Sequence, residues 1–165
     1  MENLLNKEPV KRVRDFIKNF DNKLEITVLD TSAKTAEDAA LSLKCDIGAI
    51  VKSLLFKTDD NFIICLVSGD KRCSLNKLKK ILNKKDVSMA KPDDVKKNTG
   101  FSIGGVAPVA HIKELNILID KSLSRFKYIF GAAGHPNCVF KISFKDLQKI
   151  TNGSTYEITE WENLK

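Results

Sequence analysis

Long apolar runs are missing from this sequence of 165 residues. None approaches the roughly 18 residues that a membrane-spanning helix needs. The amino-terminal stretch MENLLNKEPVKRVRDF contains no apolar signal core and no small-residue cleavage site. We therefore expect a cytoplasmic protein with no membrane partner.

Cysteine and histidine are both scarce, with four and two residues respectively. No cysteine pair has CxxC spacing, and Cys65 and Cys138 lie in apolar runs. Zinc needs closer pairs or nearby histidines, so we expect reduced thiols and no metal. A thiol redox protein would need an exposed cysteine of low pKa. Cys73 is the one candidate near charged residues, and thiol labelling at neutral pH tests that class.

Several familiar enzyme motifs are also absent. The sequence contains no GxGxxG, GK[ST], GxSxG, HExxH or paired-carboxylate motif. Internal repeats, low-complexity tracts and linkers are missing as well. These absences exclude the common dinucleotide, P-loop, serine-hydrolase and zinc-protease sites.

Positive charge is abundant. Lysine and arginine number 28 against 21 acidic residues, a net charge of +7. This excess suits a polyanionic partner such as nucleic acid. Lysine-heavy proteins are also common in AT-rich genomes, so charge alone leaves the partner open.

The periodicity of apolar residues predicts alternating helices and strands. Helices are expected at 8–20, 35–45, 74–85, 92–100 and 143–153, with Thr35, Ser74 and Ser143 as amino-terminal caps. Strands are expected at 24–30, 50–58, 61–69, 87–90, 115–120, 127–134 and 138–142, with an edge strand at 155–159. Several strand pairs are joined too tightly for parallel crossovers. The pattern predicts one α+β domain, with a mixed sheet or distorted barrel and helices outside.

Lys52 is unusual because it lies near the middle of an apolar strand. Ile50, Leu54 and Phe56 share its face, so its ammonium cannot easily reach water. Burial disfavours a charged lysine unless an anion or acceptors meet it. Lys52 is therefore a candidate functional residue, although it could also snorkel at a sheet edge or pair with a carboxylate.

Two glycine-containing stretches complete the candidate site. GFSIGGVAPVAH includes Gly104 and Gly105, which allow a ligand to approach the main chain, and Pro108, which fixes the chain direction. Such a loop can present N–H groups to an oxygen atom. FGAAGHPNCVF places His135 in a turn between strands. Spacing alone favours a plain tight turn or bulge for the first stretch, and a hairpin turn would account for the second.

Together these stretches resemble the YbaK/EbsC family of aminoacyl-tRNA deacylases, which are related to the editing domain of bacterial prolyl-tRNA synthetases. The similar segments are VKRVRDFI, TAEDAALSLKCDIGAIVKSLLFK, SGDKR, TGFSIGGVAPVAH and GAAGHPNCVFKI. They carry the family lysine as Lys52 and the G-x-x-x-P loop as Gly104–Pro108. The chain departs from many members at Val109-Ala110-His111, where a glycine is common, and at Ala132, where a serine is common.

The resemblance implies one editing domain, residues 1–165, with a mostly antiparallel sheet curved into a distorted barrel. It implies a trans-editing deacylase that hydrolyses a mischarged tRNA, with cysteine, alanine, serine or threonine on tRNA(Pro) or a similar tRNA, without a cofactor. Prolyl-tRNA synthetase is a candidate partner, and the oligomeric state is open. The implied catalytic residues are Lys52, Gly104 and Gly105. The implied substrate-binding residues are Ser53, Leu54, Phe56, Val106, Ala107, Pro108, Ala133, Gly134 and His135.

Two further points concern the tRNA itself. The lysine-rich helix offers Lys77, Lys80 and Lys84 as candidate phosphate contacts, although a solvated lysine face would have the same sequence. A non-catalytic module that binds tRNA ends or a synthetase is the alternative to the enzyme.

Overall fold

The computed structural model describes residues 3–30 and 35–162. Within these residues the chain forms five α-helices and ten β-strands. The helices are α1 (Glu8–Phe20), α2 (Ala36–Leu43), α3 (Leu75–Leu82), α4 (Pro92–Thr99) and α5 (Phe144–Thr151). The strands are β1 (Ile26–Val28), β2 (Ile50–Thr58), β3 (Asn61–Ser68), β4 (Lys71–Cys73), β5 (Val87–Met89), β6 (Asn116–Asp120), β7 (Tyr128–His135), β8 (Cys138–Ser143), β9 (Ser154–Tyr156) and β10 (Thr159–Trp161).

Three helices begin at the predicted caps. The hydroxyl oxygen of Thr35 accepts the N–H of Asp38 at 3.1 Å. Ser74 and Ser143 accept the N–H three residues further along in the same way, at 3.3 and 3.1 Å. Each cap satisfies a donor that the first helical turn leaves unpaired.

The main sheet has the strand order β1-β8-β7-β2-β3-β6-β9, and β5 also pairs with β2. Both parallel and antiparallel pairs occur, and the antiparallel pairs are in the majority. This confirms the predicted single α+β domain with a mixed, mostly antiparallel sheet. Within the described residues, no helix is long and apolar enough to cross a membrane.

Strand β2 is paired discontinuously along one of its edges. Its start pairs with β7 at Ile50 and Val51, and its end pairs with β5 from Phe56 to Thr58. Between these two pairings, residues 52–54 have no neighbouring strand on that edge among the described residues. The gap opens a space in the sheet beside Lys52.

The carboxyl-terminal part differs from the predicted single edge strand at 155–159. Two short strands form instead, because the buried Asp120 carboxylate accepts the N–H of Ile158 at 2.8 Å and turns the chain inward. Strand β10 then pairs with β4, which the sequence did not reveal. We call this β4–β10 pair the terminal ribbon.

Candidate active site

A cavity of about 330 Å³ lies where β2 lacks a neighbour. Strand β2 contributes six consecutive residues to its wall, 50–55. The loop 101–111 contributes three lining residues and strand β7 contributes two. The remaining lining residues are Thr35, Ala36, Ala39, Met89, Ala90, Val95, Ile103, Gly104, Val106, Phe130, Ala132, Pro136 and Val139. The wall is mostly apolar, with a small number of polar groups, as is typical of ligand sites.

Lys52 lines this cavity, and its ammonium is anchored to the terminal ribbon. Its Nζ donates to the carbonyl oxygen of Lys71 at 2.5 Å and lies 3.9 Å from a carboxylate oxygen of Glu162. The side chain remains 26% exposed. Burial lowers the pKa of Lys52, while the nearby Glu162 and Asp70 carboxylates oppose this shift. The sequence allowed either a functional role for Lys52 or a pairing with a carboxylate. In the structure Lys52 both lines the cavity and lies near the Glu162 carboxylate.

Ser53 supplies the second polar group. Its hydroxyl oxygen is buried and has no hydrogen-bond partner among the described residues. Buried polar atoms normally have a partner, and an unsatisfied one costs about 1–3 kcal/mol.

The glycine loop supplies main-chain donors. Gly104 has a φ of +93°, in the left-handed region that favours glycine. The N–H groups of Gly104 and Val106, two residues that line the cavity, have no hydrogen-bond partner among the described residues. Two unpaired N–H groups beside a cavity are suited to an anionic or carbonyl oxygen.

Gly105 has a different role from the predicted catalytic one. Its N–H donates to the carbonyl of Ser102 at 3.0 Å, and its own carbonyl accepts the N–H of Gly134 at 3.0 Å. A Cβ at Gly105 would lie 2.9 Å from main-chain atoms of Gly134 and His135. The prediction that Gly105 offers an N–H to a ligand is therefore wrong. Because Gly105 has no side chain, the glycine loop can pack against Gly134 and His135 at the end of β7.

Two side chains, those of Arg12 and His111, support the glycine loop through hydrogen bonds to its main-chain carbonyls. Arg12 in α1 donates from Nε to the carbonyl of Ala110 at 2.9 Å, and its Cζ lies 4.4 Å from the ring centroid of Phe101. His111 Nε2 is 2.8 Å from the carbonyl oxygen of Ala107. Burial lowers the pKa of His111, so the neutral ring donates this hydrogen bond. The residues that depart from the family pattern therefore support the loop.

The turn between β7 and β8 reaches the cavity through Pro136, which was not predicted as a site residue. Pro136 lines the cavity, whereas Gly134 and His135 do not. Gly134 has a φ of +88°, and a Cβ there would lie 2.7 Å from the main chain of Pro9, so the turn packs on α1. The Nδ1 of His135 accepts the N–H of Asn137 at 3.0 Å.

The structure brings only some of the predicted residues together. Lys52, Ser53, Leu54, Gly104 and Val106 line the cavity. Four other residues that were predicted to bind substrate are buried and do not line the cavity, so this prediction is wrong for them: Phe56, Ala107, Pro108 and Ala133. Phe56 is 2% exposed and packs in a second core cluster with Ile63, Leu78 and Val87, under β5.

Sequence reasoning missed much of the rim. Met89 and Ile103 line the cavity and remain 60% and 63% exposed. Ile103 precedes the glycine pair, and that adjacency could have indicated it. Met89 reaches the cavity only through the β2–β5 pairing, for which the sequence carries no local signal. Ala132 also lines the cavity, so the departure from serine removes a hydroxyl there.

The lysines proposed to contact tRNA differ in their availability. Lys77 donates from Nζ to the carbonyl of Thr159 at 2.6 Å and to Glu157 at 3.3 Å. Lys84 lies 3.8 Å from Asp59. Lys80 is exposed on α3. Lys77 is therefore occupied in supporting the terminal ribbon. Among the described residues, no group of three or more His, Cys, Asp or Glu side chains could hold a metal ion.

A family model described as the aminoacyl-tRNA editing domain matches residues 30–150. The chain belongs to this editing-domain family. The match includes all five predicted residues that line the cavity, while α1 and β10 lie outside it. The resemblance found in the sequence is thereby confirmed.

Relatives of this editing domain include a protein of similar length and part of a longer ligase. The uncharacterized protein YwhH of Bacillus subtilis is 29% identical over 86% of this chain and 90% of its own length. The proline–tRNA ligase of Fervidobacterium nodosum is 34% identical over 61% of this chain, and the match spans 17% of that enzyme. The structure of a protein proposed to be a trans-editing enzyme for prolyl-tRNA synthetase superposes with a TM-score of 0.88. It is 30% identical and covers 93% of this chain and 98% of its own.

Proposed function

We propose that this editing domain, residues 1–165, is a trans-editing deacylase in the cytoplasm. It hydrolyses the ester between a small, wrongly attached amino acid and the terminal adenosine of a tRNA. One observation carries the proposal: a single cavity is lined by Lys52 and by Gly104 and Val106, whose N–H groups have no hydrogen-bond partner among the described residues.

The main-chain donors suit the charge that develops during ester hydrolysis. When water attacks the ester carbonyl, the carbonyl oxygen becomes negatively charged. Fixed N–H groups stabilise that oxygen without reorganising, and removing one such donor typically costs about 100- to 1,000-fold in rate. We assign this role to Gly104 and Val106.

The described residues that line the cavity offer no carboxylate or imidazole to accept the proton of the attacking water. Among the described residues that line the cavity, Lys52 is the only one with a titratable side chain. We therefore assign the base role to the substrate, through the neighbouring hydroxyl of the terminal ribose. The water oxygen bonds to the carbonyl carbon, a water proton passes through the neighbouring ribose hydroxyl to the leaving ribose oxygen, and the ester bond breaks. The protein then contributes mainly positioning.

Lys52 retains hydrogen-bonding capacity for this purpose. A lysine ammonium has three N–H donors, and one is engaged by the carbonyl of Lys71. A remaining donor is available to a phosphate or carbonyl oxygen of the substrate. The contact to the ribbon holds the ammonium at the cavity and reduces the entropy lost on binding.

The size and chemistry of the cavity support a small amino acid. Its apolar wall excludes long charged side chains, and an apolar pocket distinguishes one methylene by only about 1–3 kcal/mol. Alanine, cysteine, serine and threonine are the candidates. The proline–tRNA ligase relatives support tRNA(Pro), and prolyl-tRNA synthetase is the corresponding partner.

The test is a panel of mischarged tRNAs. Alanyl-, cysteinyl-, seryl-, threonyl- and prolyl-tRNA(Pro) are incubated with the protein, and the remaining ester is measured over time. The proposal predicts hydrolysis of one or two small species with prolyl-tRNA(Pro) spared. Hydrolysis of none of them, or of all equally with prolyl-tRNA(Pro), would contradict it.

A binding module without hydrolysis remains the second candidate, because the Lys52 ammonium is held by Lys71 and Glu162. In that case the protein binds uncharged and mischarged tRNA(Pro) with similar affinity, and the ester survives. Filter binding beside the hydrolysis assay distinguishes the two functions.

A further inference from the structure

Trp161, in strand β10 of the terminal ribbon, is the single tryptophan of the chain, and it is 62% exposed. It pairs across the ribbon with Lys71, whose Nζ lies 4.2 Å from the centroid of a Trp161 ring. The guanidinium carbon of Arg125 lies 5.3 Å from a ring centroid. Proteins stack single-stranded bases on exposed aromatic side chains, and neighbouring arginine side chains contribute cation–π interactions.

The cation at Arg125 is fixed in place. Its guanidinium donates to both carboxylate oxygens of Asp70 at 2.8 and 3.0 Å, and to the Ser68 hydroxyl at 2.8 Å. The paired Asp70 carboxylate keeps a pKa below its usual value, because these hydrogen bonds favour its charged form against the opposing effect of burial. The indole therefore lies against an ordered guanidinium, so that little order has to be imposed when a base stacks on it.

The ribbon connects Trp161 directly to the cavity. Lys71, the cross-strand partner of Trp161, accepts the hydrogen bond of Lys52 with its carbonyl oxygen. The next residue, Glu162, donates its N–H to the carbonyl of Asp70 at 3.3 Å and places its carboxylate near Lys52. A strand bound in the cavity by its last nucleotide would pass this ribbon.

We propose that Trp161, flanked by Lys71 and Arg125, is a stacking platform for an unpaired nucleotide just before the 3′ end of the substrate RNA. This inference rests on the proposed function, since it assumes that the 3′-terminal nucleotide occupies the cavity. The local charge is compatible with an RNA strand, because the carboxylates of Asp70, Glu160 and Glu162 are matched by Arg125, Arg72 and Lys52. Trp161 lies outside the residues 30–150 matched by the editing-domain model, whereas Lys71 and Arg125 lie inside them.

Intrinsic fluorescence provides the test, because all tryptophan emission comes from Trp161. The protein is titrated with an uncharged RNA minihelix that ends in unpaired CCA, and with the same helix made blunt. Anisotropy of labelled RNA measures binding in parallel. The platform predicts saturable quenching by the minihelix with the unpaired end and little quenching by the blunt one.

Two variants and a control test the energetic contribution. Trp161→Ala should weaken binding of the unpaired minihelix about 5- to 160-fold, the range expected for loss of one stacked base. Trp161→Phe, which preserves a ring and the fold, should recover most of this loss. Tyr156→Ala removes an exposed aromatic residue from the edge strand β9 and should bind like wild type.

The outcomes separate the platform from the proposed function. Quenching without deacylation of any substrate would keep the platform and contradict the enzyme. Deacylation with unquenched fluorescence in the bound state, or with unchanged binding by Trp161→Ala, would overturn the platform alone. If the minihelix does not bind to the wild-type protein, the platform is overturned, and the deacylation panel alone decides the proposed function.

Discussion

Asp120 joins the terminal ribbon to the main sheet, and replacing it by alanine should destabilise the protein strongly. The residue is 1% exposed. Its carboxylate accepts the N–H of Ile158 at 2.8 Å and the hydroxyl of Thr159 at 2.9 Å, both in buried residues. It also accepts the N–H and hydroxyl of Ser122, a residue that can reach water.

The magnitude follows from the two buried donors. Leaving one buried donor unsatisfied costs about 1–3 kcal/mol, so Asp120→Ala should cost about 2–6 kcal/mol. Since a urea m-value of about 2 kcal/mol/M is typical, the urea midpoint of Asp120→Ala should lie about 1–3 M below that of wild type. Asp120→Asn preserves one acceptor oxygen and should fall between wild type and Asp120→Ala.

Equilibrium urea unfolding measures these differences, with Asp15→Ala on the exposed side of α1 as the control. The control should remain within about 0.5 kcal/mol of wild type. A midpoint for Asp120→Ala as close to wild type as the control, or an asparagine variant less stable than the alanine variant, would refute the account of this carboxylate.

Three further predictions concern the site and its supports. Glu162→Gln should lower the pKa of Lys52 further, because the Glu162 carboxylate opposes the effect of burial. NMR titration of the methylated Lys52 amine measures this pKa. An unchanged pKa would contradict the contact at 3.9 Å. His111 has a folded-state pKa below its ordinary 6.5, so the unfolded state takes up a proton first and stability falls as the pH drops below 6.5. His111→Gln should flatten that fall in urea titrations, and an equally steep fall would show that another group is responsible. Gly105→Ala, which would place a methyl group 2.9 Å from main-chain atoms, should cost about 1–3 kcal/mol in thermal unfolding and slow deacylation; wild-type stability would rule out the close packing described here.

Local signals account for most of the fold that the sequence predicted. The caps at Thr35, Ser74 and Ser143 are short-range hydrogen bonds, and each depends on residues within three positions. The terminal ribbon was missed because it depends on Asp120 and Ile158, which are far apart in the chain. Hydrogen bonds between residues so far apart produce no periodic pattern in the sequence.

The candidate site was predicted in part for a similar reason. Strand alternation correctly placed Lys52, Leu54 and Phe56 on one face, but it does not show what covers that face. Strand β5 covers Phe56, while the missing neighbour beside Lys52 leaves a cavity. Gly105 was assigned to a ligand because glycine allows close approach, and the group that approaches it is the turn at Gly134.

The most direct test of the central claim compares deacylation by Lys52→Ala with deacylation by Lys57→Ala. Both lysines belong to β2, but Lys57 is exposed and outside the cavity, so its replacement controls for loss of one positive charge. Single-turnover hydrolysis of the preferred mischarged tRNA(Pro) is measured for each variant and for wild type. The account predicts a rate about 100-fold or more lower for Lys52→Ala and an unchanged rate for Lys57→Ala. Equal rates for the two variants, at equal fold stability, would show that the cavity at Lys52 is not where the ester is hydrolysed.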